Sequence, residues 1–170
     1  EEGVAVNPVL TFDERGHKKN RVQYYVLGAE GDGTKPVGFY PVVEDFIGEG
    51  GSLAAPGALY EGLTPQKAGI EIDGYEALGG IVYADKKLEA GESASWLIMM
   101  GIQESDNVEA DSVWMTSLQQ IYSRYASLNN LNQAYEQTKQ TWRERVKASY
   151  QSGDYEFDQF MNWVSFQPIL

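Results

Sequence analysis

The sequence predicts an α+β fold in which antiparallel β-structure is followed by a helical part. Three observations predict it. Seventeen of the 18 glycines and five of the six prolines precede residue 102, so the helix breakers are concentrated in the first part. Segments of that part carry β-branched and aromatic residues between Gly, Pro and Asp. Beyond residue 102, apolar residues recur at helical spacing.

Residues 21–27 (RVQYYVL), 38–43 (GFYPVV), 75–84 (YEALGGIVYA) and 95–101 (SWLIMMG) read as strands. The last two are joined by a polar stretch, 85–93, with Gly91 late in it, and this pattern predicts a hairpin. Both faces of these strands are apolar, with Tyr75, Ala77, Ile81 and Tyr83 on one and Leu78 and Val82 on the other. Such strands belong inside a sandwich of sheets or under a helical layer. Residues 48–74 are rich in Gly, Ala and Pro without alternation and read as a long excursion from the sheet.

Three helices follow. Leu118, Ile121, Tyr122 and Tyr125 recur at i, i+3, i+4, i+7. Leu131, Ala134, Tyr135, Thr138, Trp142 and Val146 make a second stripe, with Lys139, Arg143, Arg145 and Lys147 toward the negative end of the helix dipole. The third helix begins near Asp154 with Glu156 and Asp158 in its first turn. It continues through Phe157, Phe160, Met161, Trp163, Val164 and Phe166. A helix apolar on nearly every side is expected to be buried, and nothing left in the chain covers it. Trp114, Trp142 and Trp163 sit at helical spacings and read as core rather than as sugar platforms.

The 170 residues suffice for one domain or one and a half. With 25 acidic against 13 basic residues the net charge is -12, which argues against a nucleic-acid partner. The absence of Cys excludes disulfides, thiol nucleophiles and Cys-ligated metals, and one His excludes a His-rich metal site. The apolar stretch 96–102 is far short of the ~20 residues a membrane helix needs, so no membrane contact is expected. No signal pattern opens the chain, and a cytoplasmic location is expected. The chain opens EEGV without an initiator Met and closes on an uncharged apolar run, 160–170; both ends read as cuts from a longer polypeptide.

Phosphate-binding loops, dinucleotide fingerprints and nucleophile elbows are absent from the sequence. His17, within DERGHKKN at 13–20, reads as a solvated loop histidine. Glu44 and Asp45 are adjacent carboxylates of the type glycosidases use. On a strand, however, neighbours point to opposite faces, so the pair reads as a charged strand end. The segment FIGEGGSL at 46–53 has Gly48, Gly50 and Gly51 in four residues, which permits positive φ and close ligand approach. Glu49 supplies an acceptor and Ser52 a hydroxyl of the kind that grips sugar hydroxyls. Glu49, Gly50, Gly51 and Ser52 are therefore the candidate substrate-binding residues. A glycine-rich turn without a ligand fits the same residues equally well.

Three collinear motifs over residues 37–170 resemble the family-94 type inverting glycoside phosphorylases, which act on cellobiose, chitobiose and oligoglucans and were formerly glycosyltransferase family 36. Phe46, Gly48, Ser52 and Pro56 resemble the family pattern Phe-x-Gly-x-x-x-Ser-x-x-x-Pro. LEAGE at 88–92, followed by Met100 and Gly101, resembles a Leu-x-Pro-Gly-Glu hairpin ending in Leu-Gly, with Ala90 in place of Pro. Trp142 falls where a helical Trp precedes the catalytic domain, and MNWVSFQ at 161–167 resembles an Asn-x-Trp-x-x-Tyr-Gln opening helix, with Asn162 displaced by one position. Gly51 stands where some disaccharide-acting members carry a bulky polar residue, implying room for a longer oligosaccharide.

The resemblance implies a β-sandwich portion at 1–105, a helical linker at 106–150 and the first helix of an (α/α)₆ barrel at 151–170. The family sandwich exceeds the ~105 residues available, so either a preceding portion lies outside the chain or this sandwich is shorter. The implied reaction is phosphorolysis of β-glucosidic oligosaccharides with inversion, giving a sugar 1-phosphate. Inorganic phosphate is the co-substrate and no cofactor is needed. The general acid would lie in the barrel beyond residue 170, so no catalytic residue falls in this chain. Implied partners are an oligosaccharide, the remainder of the parent polypeptide and a second copy in a homodimer, toward whose barrel the 48–52 loop would reach. A non-catalytic carbohydrate-binding β-sandwich module is the alternative, and a purely structural interaction domain is a third.

Overall fold

The computed structural model describes residues 1–7, 22–104, 111–146 and 148–167, with the side chains of 111–113 excepted. His17 and its turn, Arg21, Lys147 and the last three residues lie outside the described residues. The protein is a mixed α+β chain with antiparallel sheets. It divides into two compact units, Glu1–Asn130 and Leu131–Leu170. No helix among the described residues is long and apolar enough to cross a membrane.

In the first unit, β1 (Gly3–Val6), β2 (Val22–Glu30) and β5 (Trp96–Glu104) form one sheet in the order β1-β2-β5. β3 (Gly38–Val42) and β4 (Ala77–Val82) form another. The long pairing is β2 with β5, in register from Val22 opposite Glu104 to Glu30 opposite Trp96. The predicted hairpin between the third and fourth strand segments is therefore corrected: β4 pairs with β3, β5 pairs with β2, and the intervening loop crosses between sheets. The turn residues at 88–92 are present all the same. Glu89 N–H donates to Glu92 Oε2 at 2.9 Å, Glu92 N–H donates to Glu89 O at 3.0 Å, and Gly91 has φ 88°. They turn the chain without registering its flanking strands, because nine continuous residues of β2 offer a longer ladder.

β3 contains Pro41, which has no N–H to give, and the β3–β4 register shifts between Tyr40 and Val42. Glycines let the two sheets approach. A Cβ on Gly79 of β4 would collide with Val26 of β2, and one on Gly28 would meet Ile81 and the Tyr83 hydroxyl. On the other face of the three-stranded sheet, Leu27, Ala29 and Leu97 are buried. Trp114 and Leu118 of α3 (Asp111–Tyr125) are buried as well, and the Trp114 carbonyl lies 3.4 Å from Gln103 Nε2 of β5. The stripe that predicted α3 is thus its inward face. No residue of β4 is fully buried, and alternate residues of β5 are open; both strands are less enclosed than their apolar sequences predict.

The division between units falls inside α4 (Leu128–Arg145). In the second unit, α5 (Tyr155–Phe166) starts as predicted: Asp154 is its N-cap and accepts from Phe157 N–H at 3.1 Å. Asp158 Oδ1 accepts from Ser152 N–H at 2.7 Å and from its hydroxyl at 2.8 Å, and Asn162 Oδ1 accepts from Tyr150 N–H at 2.9 Å. These bonds fold residues 150–153 back over the helix. Trp142 meets Phe166 edge-on at 4.8 Å. α5 has no buried residue, and Trp163, expected in a core, is 58% exposed. Its apolar surface exceeds what one neighbouring helix covers.

Candidate functional site

The candidate residues lie at the start of the long excursion, and their positions follow from how β3 ends. Residues 43–47 form a one-turn helix, α1 (Val43–Ile47), rather than a continuation of the strand. Glu44 and Asp45, expected at a strand end, are instead exposed in its first turn, where negative charge suits the helix N-terminus. Gly48 closes α1 at φ 71°, its N–H donating to Glu44 O at 2.9 Å. The ring of Phe46 packs edge-on against Tyr40, 5.5 Å between centroids, and ties α1 to β3.

From Gly48 the chain turns tightly. Gly50 adopts φ 74° with open space around it. Gly51 differs: its N–H donates to Gly48 O at 3.3 Å, and a Cβ there would run into the carbonyl of Ile47. Ser52 and Ala55 exchange backbone hydrogen bonds of 3.3 and 3.1 Å, and Ser52 Oγ also accepts from Ala55 N–H at 3.2 Å. Glu49, Gly50 and Ser52 are exposed and Gly51 is half-buried. The four candidates therefore share one surface turn. Ser52 retains its hydroxyl proton for donation, and Glu49 makes no ion pair among the described residues. Positive φ explains Gly48 and Gly50, and close backbone approach explains Gly51.

The excursion is fastened at its base. Phe39 N–H donates to Gln66 O at 2.9 Å and Gln66 N–H to Phe39 O at 2.8 Å. The Tyr40 hydroxyl donates to Leu63 O, and Gln66 Nε2 reaches Asp45 Oδ2 at 3.3 Å. Beyond the turn, α2 (Gly57–Tyr60) carries Leu59 and Tyr60 outward, both exposed. The result is a surface loop with a rigid foot, a carboxylate, a hydroxyl and a nearby exposed phenol ring. Such groups can accept from, donate to and stack on a sugar.

Sequence reasoning missed two further features. Glu30, at the end of β2, is 2% exposed and paired with Lys86 from the β4–β5 loop. That hydrogen bond, followed by the charge of Glu30, raises the Lys86 pKa above its ordinary 10.5. A polar hollow of about 530 Å³ opens beside it, lined by Asp32, Lys86, Glu92 and Ser95. The available signal was a lone acidic residue closing the apolar run YYVLGA. The second feature is an apolar hollow of about 350 Å³ on the three-stranded sheet, lined by Val4, Tyr24, Val26, Leu78, Met100 and Ile102. Its signal was the alternation Val4, Val6 of the unpredicted strand β1. Burial raises the pKa of the Tyr83 and Tyr122 phenols. Among the described residues, no group of three His, Asp or Glu is placed to hold a metal ion.

No protein-family model matches the chain, and no curated protein matches it at a significant level.

Proposed function

We propose that the chain is a non-catalytic portion of an inverting glycoside phosphorylase, comprising a β-sandwich portion, linker helices and the first helix of an (α/α)₆ barrel. The observation that carries this reading is the turn at 49–52. It lies within the motif segment set by Phe46, Gly48, Ser52 and Pro56, opens an excursion whose base is fastened to β3 by the Phe39–Gln66 bonds, and presents Glu49 and Ser52 outward. The apolar surface of α5 further supports the reading, since a barrel helix packs on more than one neighbour. In the reaction, phosphate attacks the anomeric carbon from the face opposite the leaving oxygen. An acid in the barrel protonates that oxygen, so the products are a sugar 1-phosphate and a shortened oligosaccharide. The chain's own contribution is to grip sugar hydroxyls beside the scissile bond through Glu49 and Ser52, across a homodimer in the parent enzyme.

The test is made on the enzyme containing this chain. Glu49→Gln and Ser52→Ala are expected to raise the KM for oligosaccharide several-fold, with kcat and the KM for phosphate unchanged. Sugar release that persists without phosphate would overturn the phosphorylase reading. Unchanged KM values in both variants would remove the loop from substrate binding. A Gly51→Arg exchange is unsuitable as a probe of acceptor room, because the Ile47 carbonyl obstructs any side chain there. The exposed rings of Tyr60 and Tyr75 favour a second reading, a carbohydrate-binding module. Binding of β-gluco-oligosaccharides by the isolated chain, lost in Tyr60→Ala, would establish that reading.

A further inference from the structure

Strand β5 is open along one backbone edge and at alternate side chains among the described residues. It stands at the edge of the sheet, with β2 as its neighbour among the described residues. Gly31 N–H donates to Ser95 O at 2.8 Å, which fixes that pair as hydrogen-bonded. By the antiparallel alternation, the odd-numbered residues of β5 then bond to β2, and Ile98, Met100 and Ile102 turn their backbone groups outward. The side chains of these same residues are 63%, 75% and 59% exposed. Natural edge strands are blunted by Lys, Pro, a bulge or short length. Over nine residues (WLIMMGIQE), β5 has none of these devices, and its single charge, Glu104, sits at its end.

We propose that β5 pairs antiparallel with β5 of a second copy, joining two three-stranded sheets into one of six strands. The occupant follows from the strand's own pattern. A two-fold through Met100 sets Ile98 opposite Ile102 of the second copy, a favourable β-branched pair, and aligns outward backbone groups with outward backbone groups. The same register separates the two Glu104 carboxylates to opposite ends, each facing Trp96. A chain of net charge -12 thus meets its copy along a strip free of charge between residues 96 and 103. Nine paired residues span roughly 30 Å, and one strand added edge to edge falls in the small-interface class, so the dimer is weak and concentration-dependent. This contact uses the sheet edge, whereas the dimer implied by the phosphorylase resemblance would use the 48–52 loop.

Sedimentation velocity of the full 170-residue chain across ~1 to ~200 μM tests the proposal. The unmodified chain is expected to shift from monomer toward dimer, and Met100→Lys to remain monomeric with an unchanged circular dichroism spectrum. Ile98→Lys, placed on the same edge, is expected to behave likewise and guards against a folding defect peculiar to position 100. A chain monomeric throughout the range would overturn the proposal. So would a dimer that survives both lysine exchanges, or one abolished by Trp163→Lys in α5 and not by Met100→Lys.

Discussion

Gly50 and Gly51 are neighbours in one turn but are glycine for different physical reasons, and alanine exchange separates them. At Gly50, φ is 74° and nothing lies within 4 Å of an added Cβ, so the cost of Gly50→Ala is conformational alone. That cost is about 1 kcal/mol, the lower end for an L-residue in the left-handed region. At Gly51 the three nearest atoms are all backbone: Ile47 O, Ile47 C and Ala55 O. No side-chain rotation relieves that collision, so α1 or the turn must shift. Forced overpacking of this kind costs about 3 kcal/mol. In a unit of this size 1 kcal/mol moves Tm by roughly 3–5 °C, so Gly51→Ala is expected to fall by about 9–15 °C and Gly50→Ala by about 3–5 °C. Thermal unfolding followed by circular dichroism reads the difference. Hydrogen exchange at the Ala55 amide, bonded to Ser52, reports whether the turn itself has opened. Equal losses in the two variants, or a larger loss at Gly50, would refute the assignment of Gly51 to close approach.

Three other predictions concern charged side chains. Glu30→Gln keeps the volume but loses the charge-assisted bond to Lys86, and is expected to lower the urea unfolding midpoint at neutral pH. Because the Lys86 pKa is raised on folding, that advantage is complete below the ordinary value of 10.5 and disappears as pH rises through the higher folded value. An identical unfolding midpoint for the two proteins at pH 7 would contradict it. In the second unit, Asp154→Ala removes the N-cap of α5 and is expected to cost about 1 kcal/mol of helix stability, seen as faster exchange at the Phe157 amide. Asp158, held below its ordinary 3.8 by the Ser152 amide, supports the fold above that value and releases residues 150–153 as pH falls through the lower folded value. A carboxyl NMR titration of Asp158 centred at or above 3.8 would argue against this bond.

Features with a local cause were legible in the residues themselves. The three helices follow from apolar spacing, and the start of α5 from Asp154 and the acids after it. The long excursion follows from its glycines and prolines, and the candidate turn from three of those glycines. Residues 49–52 were legible as a glycine-rich turn, but the inner logic of that turn was not visible. Glu44 and Asp45 were expected on a strand, because nothing local announces that Pro41 and the register shift end β3 at Val42. The contact that makes Gly51 obligatory is with a carbonyl four residues back, and only the folded turn brings the two together.

By itself, then, the sequence determined the α+β order, the three longer helices and the N-cap of α5, the exclusion of thiol and His-rich metal chemistry, and the position of the Glu49–Ser52 turn. Each of these depends on residues within a few positions of one another. Tertiary structure decided strand partners: β4 and β5, consecutive and joined by a competent turn, belong to different sheets, since partner choice compares whole ladders rather than loops. It likewise decided which apolar faces are covered. Trp114 and Trp163 share the same helical spacing signal, yet one is 5% and the other 58% exposed, because burial depends on what packs against a face and no periodicity encodes that.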